Sequence, residues 1–315
     1  PDTYIWADEN IYNFTNPLIG SNENERWYSL NSEGKIDKAG IYKASYYHQY
    51  LINIKYSVIG KDLPKYPILY GVSSGKNISK EILREFVQIW LDSNTEFYVT
   101  NIIQERLNER WIALNFRYFV TKPENIVIDY QHQYYVNITV NFKGAGNVYP
   151  LSGWYNAGST LLISVYPNNG WKFYKWIGFG NGSYTGFERN ASIIVNSPIE
   201  ETAILLVSLK IYSTSGGIVK YSYENETGEV KENAMKEIFV LPGTEIKLTA
   251  EPASIFFVFK DWNLGLKETQ IKIIVDKPTE IMANFDLNYF LIIIILLAVA
   301  IFIAIILIIR RKISL

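Results

Sequence analysis

Along most of the first 285 residues, apolar and polar side chains alternate with a period of two, the spacing of a strand with one buried and one wet face. Four alternating runs stand out, at 41–54, 126–140, 203–212 and 281–285. The last three follow a valine with a proline three positions on: Val120 and Pro123, Val195 and Pro198, Val275 and Pro278. Ile36 keeps the frame ahead of the first run, with Ala39 in the proline's place. Proline has no N–H to give a ladder, so it marks a corner between strands rather than a strand interior. The pattern predicts strand, tight turn, strand, four times over.

Two stretches depart from the period of two. Between 79 and 91 the apolar residues fall at helical spacing, with Ser79 placed to cap and Glu81 in the first turn. This predicts one short soluble helix laid over a sheet. From 289 to 309 there are 21 residues with no charge and no Gly, Pro, Asn or Ser, and Arg310, Arg311 and Lys312 come directly after. At about 1.5 Å per residue that helix would be roughly 31 Å long, the thickness of a bilayer's hydrocarbon core. It predicts a transmembrane helix over 287–309, with Tyr289 at the outer interface, Ile309 at the inner end and 310–315 as a cytoplasmic tail. The expected topology is single-pass type I, with the bulk of the chain extracellular.

The alternating part also repeats itself. Asn24-Glu25-Arg26-Trp27 returns 84 residues later as Asn108-Glu109-Arg110-Trp111, and the same offset carries His48-Gln49-Tyr50 onto His132-Gln133-Tyr134. Two later copies share a turn glycine (Gly158, Gly243), an alternating strand, a proline (Pro167, Pro252) and aromatics ending in Trp176 or Trp262. The expected organisation is a partial β segment at 1–45, modules at 46–129 (carrying the helix), 130–206 and 207–286, then the span. Residue 1 is proline and no export signal is legible near it, so a chain that was processed or began earlier is expected.

The segment Gly170-Trp171-Lys172-Phe173-Tyr174-Lys175-Trp176 and the run from Ile273 to Phe285 resemble the divergent InlB B-repeat family of secreted and wall-exposed proteins, archaeal surface proteins included. The resemblance covers about 144–206 and 207–285 and is weaker over 46–129. It implies small β-grasp-like or sandwich-like modules that act as spacers or binding units, without catalysis.

Composition narrows the function. The chain is 48% hydrophobic with 24 Tyr, 16 Phe and 8 Trp, ample to build all-β cores without a single cysteine. Setting aside the basic triplet leaves 27 basic against 31 acidic side chains, no footprint for nucleic acid. Two histidines, His48 and His132, occupy equivalent repeat positions, which points to a repeated structural job rather than a zinc pair. No nucleophile elbow, P-loop or dinucleotide fingerprint is present, so no catalytic residue, metal or cofactor is assigned. Acid pairs such as Glu200 and Glu201 read as solvated charge.

Six glycosylation sequons begin at Asn13, Asn77, Asn137, Asn181, Asn190 and Asn225, all on the exterior side of the span. Trp27, Trp111, Trp171, Phe173, Trp176, Phe259 and Trp262 are the expected repeat-core packing residues. Trp154, Tyr155 and Tyr184 lie near turns, where aromatic faces can stack on sugar rings. Together these features point to a membrane-anchored structural or adhesive repeat protein of the cell envelope, with the bilayer and other surface proteins as partners. The competing readings are a carbohydrate- or peptide-binding receptor, and the linker and anchor of a thermopsin-like hydrolase whose catalytic domain lies outside this chain.

Overall fold

The computed structural model describes residues 11–313, with side chains as far as Arg310; residues 1–10 of the expected N-terminal segment, and Ser314 and Leu315 of the expected tail, lie outside it. Among the described residues there are 25 strands and one helix, Tyr289–Ile313. The chain is nearly all-β, as the alternation predicts.

Four long strands form a spine: Tyr46–Ile59, Glu124–Val140, Ile199–Ser213 and Thr279–Leu287. They are neighbours, in that order, in one 12-stranded sheet. Each pairs in parallel with the next, but only along part of its length. Residues 52–59 pair with 124–131, 136–140 with 199–203, and 209–213 with 279–283. The sheet is therefore a staircase: the second half of each long strand lies beside the first half of its successor. Parallel neighbours need a long crossover, and here each crossover is itself a small antiparallel sheet folded back over the spine.

Three buried clusters result. The first joins Ile52, Ile54, Ile126 and Tyr130 of the spine to Leu69, Phe97 and Val99 of the first crossover sheet. The second joins Val136, Ile138, Ile199 and Leu205 to Ile163, Val165 and Ile193. The third joins Leu209, Ile211, Ile281 and Phe285 to Val219, Leu248 and Ile271. Each is a two-layer sandwich, so alternation on the spine strands puts one row of side chains inside. The strand Glu124–Val140 serves the first cluster with residues 126–130 and the second with 134–138. Ile199–Ser213 does the same for the second and third. No linker separates the cores; a hydrogen-bonded strand runs through each boundary.

Two expectations are corrected. The helix at 79–91 does not form: Lys76–Glu81 and Val87–Asp92 are strands. Ser79 is an exposed strand residue, not a cap. Ile82, Ile89 and Leu91 are buried, while Leu83 and Phe86, which a helix would have turned toward the sheet, are exposed. The helical spacing arose from two strand periods with a reversal between them. Ladder partners decided the outcome: Ile68–Ser73 pairs with the first strand, and Tyr46–Ile59 with the second. Local propensity yields when every backbone group finds a neighbour in a sheet. The first spine strand also starts at Tyr46 rather than 41, because its partner Glu25–Ser29 begins to pair there, and Val87–Asp92 joins on its other side from Gln49.

Candidate functional site

The duplicated motif folds into a duplicated cross-strand ladder. Glu25–Ser29 runs antiparallel to the first spine strand and sets Arg26 opposite Gln49 and Trp27 opposite His48. Glu109–Ala113 does the same on the second, setting Arg110 opposite Gln133 and Trp111 opposite His132. On one face the indole stacks on the imidazole, at 4.4 Å and 3° in the first copy and 4.6 Å and 10° in the second. A glutamate Oε1 holds the histidine Nε2, at 2.7 Å from Glu25 and 3.0 Å from Glu109. On the other face Arg Nε donates to Gln Oε1, at 2.8 Å and 2.9 Å.

A third strand completes each copy. Val87–Asp92 sets Trp90 under the guanidinium of Arg26, and Gly153–Asn156 sets Trp154 under that of Arg110, at 4.2 and 4.4 Å. Gln49 and Gln133 then donate to Asp92 (2.8 Å) and Asn156 (2.9 Å). Partial burial lowers the affinity of both guanidiniums for their protons. Each of these side chains is met by another across the sheet, so the chemistry of the ladders is cross-strand locking.

The two copies differ in which face is covered. His132 is wholly buried, its Nδ1 met by the backbone N–H of Lys61 at 3.4 Å, and the Trp111 indole donates to the carbonyl of Lys61 at 2.7 Å. That loop comes after the first spine strand, so the preceding module caps the second ladder. Burial lowers the pKa of His132, against the opposing pull of Glu109, and leaves the ring neutral at pH 7. His48 is 29% exposed.

Trp176 and Trp262 are wholly buried, each opposite an alanine, Ala203 or Ala283, five positions past the turn proline. Phe173 packs on the second core and Phe259 on the third, while Trp171 touches both. Trp27 is half-buried and Trp111 buried.

Glu201 does not behave as solvated surface charge. It occupies the inward row of the third spine strand, three residues past Pro198, where the next module has the buried Ile281. Its Oε1 accepts the N–H of Tyr184 at 2.7 Å, and its Oε2 has no partner. Burial pushes its pKa up to about 7. Gly178 lies opposite it because any Cβ there would strike the carboxylate and the carbonyl of Tyr184. Glu200, by contrast, is exposed. Pairing distance, not sequence, reveals this group.

The three turn aromatics do not converge. Tyr155 and Tyr184 pack against the second core, and Trp154 lies on the opposite face of its strand, edge-on to Tyr135 at 5.5 Å. A cleft of about 400 Å³ beside them is lined by Asn108, Tyr135, Asn137, Phe179 and Glu200. Asn13, Asn77, Asn181, Asn190 and Asn225 are exposed; Asn137 is half-buried in that cleft, its Oδ1 accepting from Ser152 at 3.2 Å. Among the described residues no group of three or more His, Asp or Glu is placed to hold a metal.

At the C-terminus, Tyr289–Arg310 is a 22-residue apolar helix long enough to cross a bilayer, with none of its residues buried. Tyr289 and Ile309 are exposed at its two ends, and Arg310 continues into the last turn. Arg311 and Lys312 belong to the same helix, with side chains outside those described.

Residues 136–204 match the family model of the divergent InlB B-repeat domain. That segment is the second sandwich, from the middle of the second spine strand to the start of the third. No curated protein matches the chain. Among solved structures, the Bacillus anthracis TIE protein aligns at 8% identity over 76% of this chain and 52% of that one, with a TM-score of 0.20. A streptococcal ancillary pilin aligns at 9% identity over 75% of this chain and 98% of its own, at 0.18. The pilus adhesin SpaC from Lactobacillus rhamnosus GG aligns at 8% identity over 82% and 43%, at 0.25. The chain thus spans about half the length of the TIE protein and less than half of SpaC.

Proposed function

We infer that this chain is a membrane-anchored structural stalk of the cell envelope, which holds an adhesive or lattice-forming partner at a set distance from the bilayer. The observation that carries the reading is the staircase of half-overlapping parallel strands. In each module the first and last strands are parallel, adjacent and hydrogen-bonded. Tension along the chain pulls them in opposite directions and loads all their ladder bonds together, rather than one at a time. The first module has eight such residue pairs and the later two have five each. Continuous strands through the boundaries also remove the hinge that a loop linker would supply.

The divergent InlB B-repeat match over 136–204 and the apolar terminal helix support this reading. In it, Tyr289–Arg310 spans the membrane, the basic end stays cytoplasmic, and the modules stand outside with glycans on the five exposed sequons. Stretching full-length protein held at both ends, in single-molecule force spectroscopy, tests the load-bearing role. The expected record is three separate rupture events, the strongest from the eight-pair module. One weak, early opening of the whole chain would overturn it. Protease added to intact cells tests orientation: the β-rich part should be shaved off, and protection of that part in intact cells with digestion in everted vesicles would reverse the topology.

A further inference from the structure

The turn that closes each later module ends differently. In the second module the strand Thr160–Pro167 passes into Trp171–Phe179 through Asn168-Asn169-Gly170, a polar turn. Gly170 there has φ +77° and abuts Pro278 of the third module so closely that a Cβ would clash. In the third module Thr244–Pro252 passes into Phe257–Trp262 through Ala253-Ser254-Ile255-Phe256. Ile255 is 69% exposed and Phe256 45%. The same turn, which meets the next module in one copy, is apolar and bare in the other.

The third module is succeeded by the apolar helix, and one residue joins the two. Asn288 donates its backbone N–H to the carbonyl of Phe256 at 2.7 Å and its side-chain Nδ2 to the carbonyl of Ile255 at 3.1 Å. Its Oδ1 accepts the N–H of Leu291 at 3.2 Å, capping the helix. The turn is therefore clamped to the first turn of the helix. Leu287, paired with Phe257, and, on the other face of the hairpin, Val258 are also exposed, and Tyr289 adds a ring at the start of the helix. The ion pair Lys260–Asp286, at 3.1 Å, begins a polar surface just beyond it.

We propose that this turn is a membrane-resting foot: Ile255 and Phe256 insert into the interfacial layer of the lipid bilayer beside the helix and hold the last module against the membrane. The proposal rests on the reading of Tyr289–Arg310 as a span. That helix is about 33 Å long at 1.5 Å per residue, so its first turn lies at the edge of the hydrocarbon, and whatever is clamped to Asn288 lies there too. Aromatic and aliphatic groups at that depth gain from leaving water, whereas the polar Asn168-Asn169 turn would not.

The chain lacks cysteine, so single spin labels can be placed cleanly. Full-length I255C, F256C, A298C and N225C, each labelled and reconstituted in phosphatidylcholine liposomes, are compared by electron paramagnetic resonance for collisions with oxygen and with a water-soluble nickel chelate. The expected result is the highest oxygen-to-nickel ratio at A298C, a ratio several-fold above that of N225C at both I255C and F256C, and free nickel access at N225C. If A298C lies in lipid while I255C and F256C match N225C, the foot is overturned and the span stands. If A298C itself is open to nickel, the span reading fails and the foot with it.

Discussion

The two ladders built on Trp27–His48 and Trp111–His132 share residues, register and distances, yet they bury opposite faces. In the first, Gln49 is wholly buried and Asp92 nearly so, with Asp92 accepting N–H groups from Ser74 and Gly75 at 2.7 Å, while the imidazole side is partly open. In the second, the imidazole and its glutamate are sealed and the amide bond from Gln133 to Asn156 is exposed. The arginine, tryptophan, histidine, glutamate and glutamine make the same bonds to one another in both; what changes is the segment laid over them. For the first ladder that segment is the hairpin at Ser73-Ser74-Gly75, and for the second it is the Gly60-Lys61 loop of the preceding module. A repeat thus supplies a locking device whose worth depends on its neighbour.

The largest break in this parallel should come from the indoles. Trp111→Ala should destabilise by about 3–5 kcal/mol, the range for truncating a buried large aromatic, with Trp27→Ala costing well under half of that. Chemical denaturation of the two variants measures both, and equal losses would show that burial does not set the difference. Next is the imidazole. His132→Ala leaves Glu109 buried beside an unfilled space and should cost about 2–3 kcal/mol, against about 1 or less for His48→Ala.

Acid sharpens the contrast further. The folded-state pKa of His132 lies below 6.5, so the unfolded chain binds more protons below that pH. Its contribution is fully present above about pH 6.5 and is lost as pH falls toward the depressed folded value. Glu201 runs the other way: with a folded pKa of about 7 against 4.5 unfolded, its contribution is present at low pH and lost as pH rises from 4.5 to 7. Melting temperatures across pH 4–8 should therefore fall more steeply with acid in E201Q, where Glu201 no longer offsets His132, and less steeply in H132Q. Identical profiles in the two variants would contradict both assignments. The smallest effect should be Arg26→Ala against Arg110→Ala, each about 1 kcal/mol from a lost hydrogen bond and a guanidinium–indole contact.

Much of this is legible in the chain alone. The period of two, the Val-x-x-Pro corners and the 84-residue offset are enough to place the later three long strands and the positions of Trp111, Trp176 and Trp262. The false helix at 79–91 marks the limit of local pattern. Two short strands joined by a reversal can imitate a helical face, and only partners distant in sequence break the tie. Glu201 meets the same limit in the site: beside Glu200 it looks like one of two surface acids, and a one-residue step in register puts it in the core. Trp154 reads as a free aromatic near a turn until the third strand reveals it as the counterpart of Trp90.

Local order in the chain settled the class of structure, the duplicated lock and the apolar terminal helix, because period, spacing and hydrophobic length are properties of neighbours in sequence. The half-overlap of the spine strands, the face each ladder hides and the clamp from Asn288 to the Ile255-Phe256 turn were decided only in three dimensions. Those depend on which distant backbone groups pair and which loop excludes water, and no stretch of sequence carries that information alone.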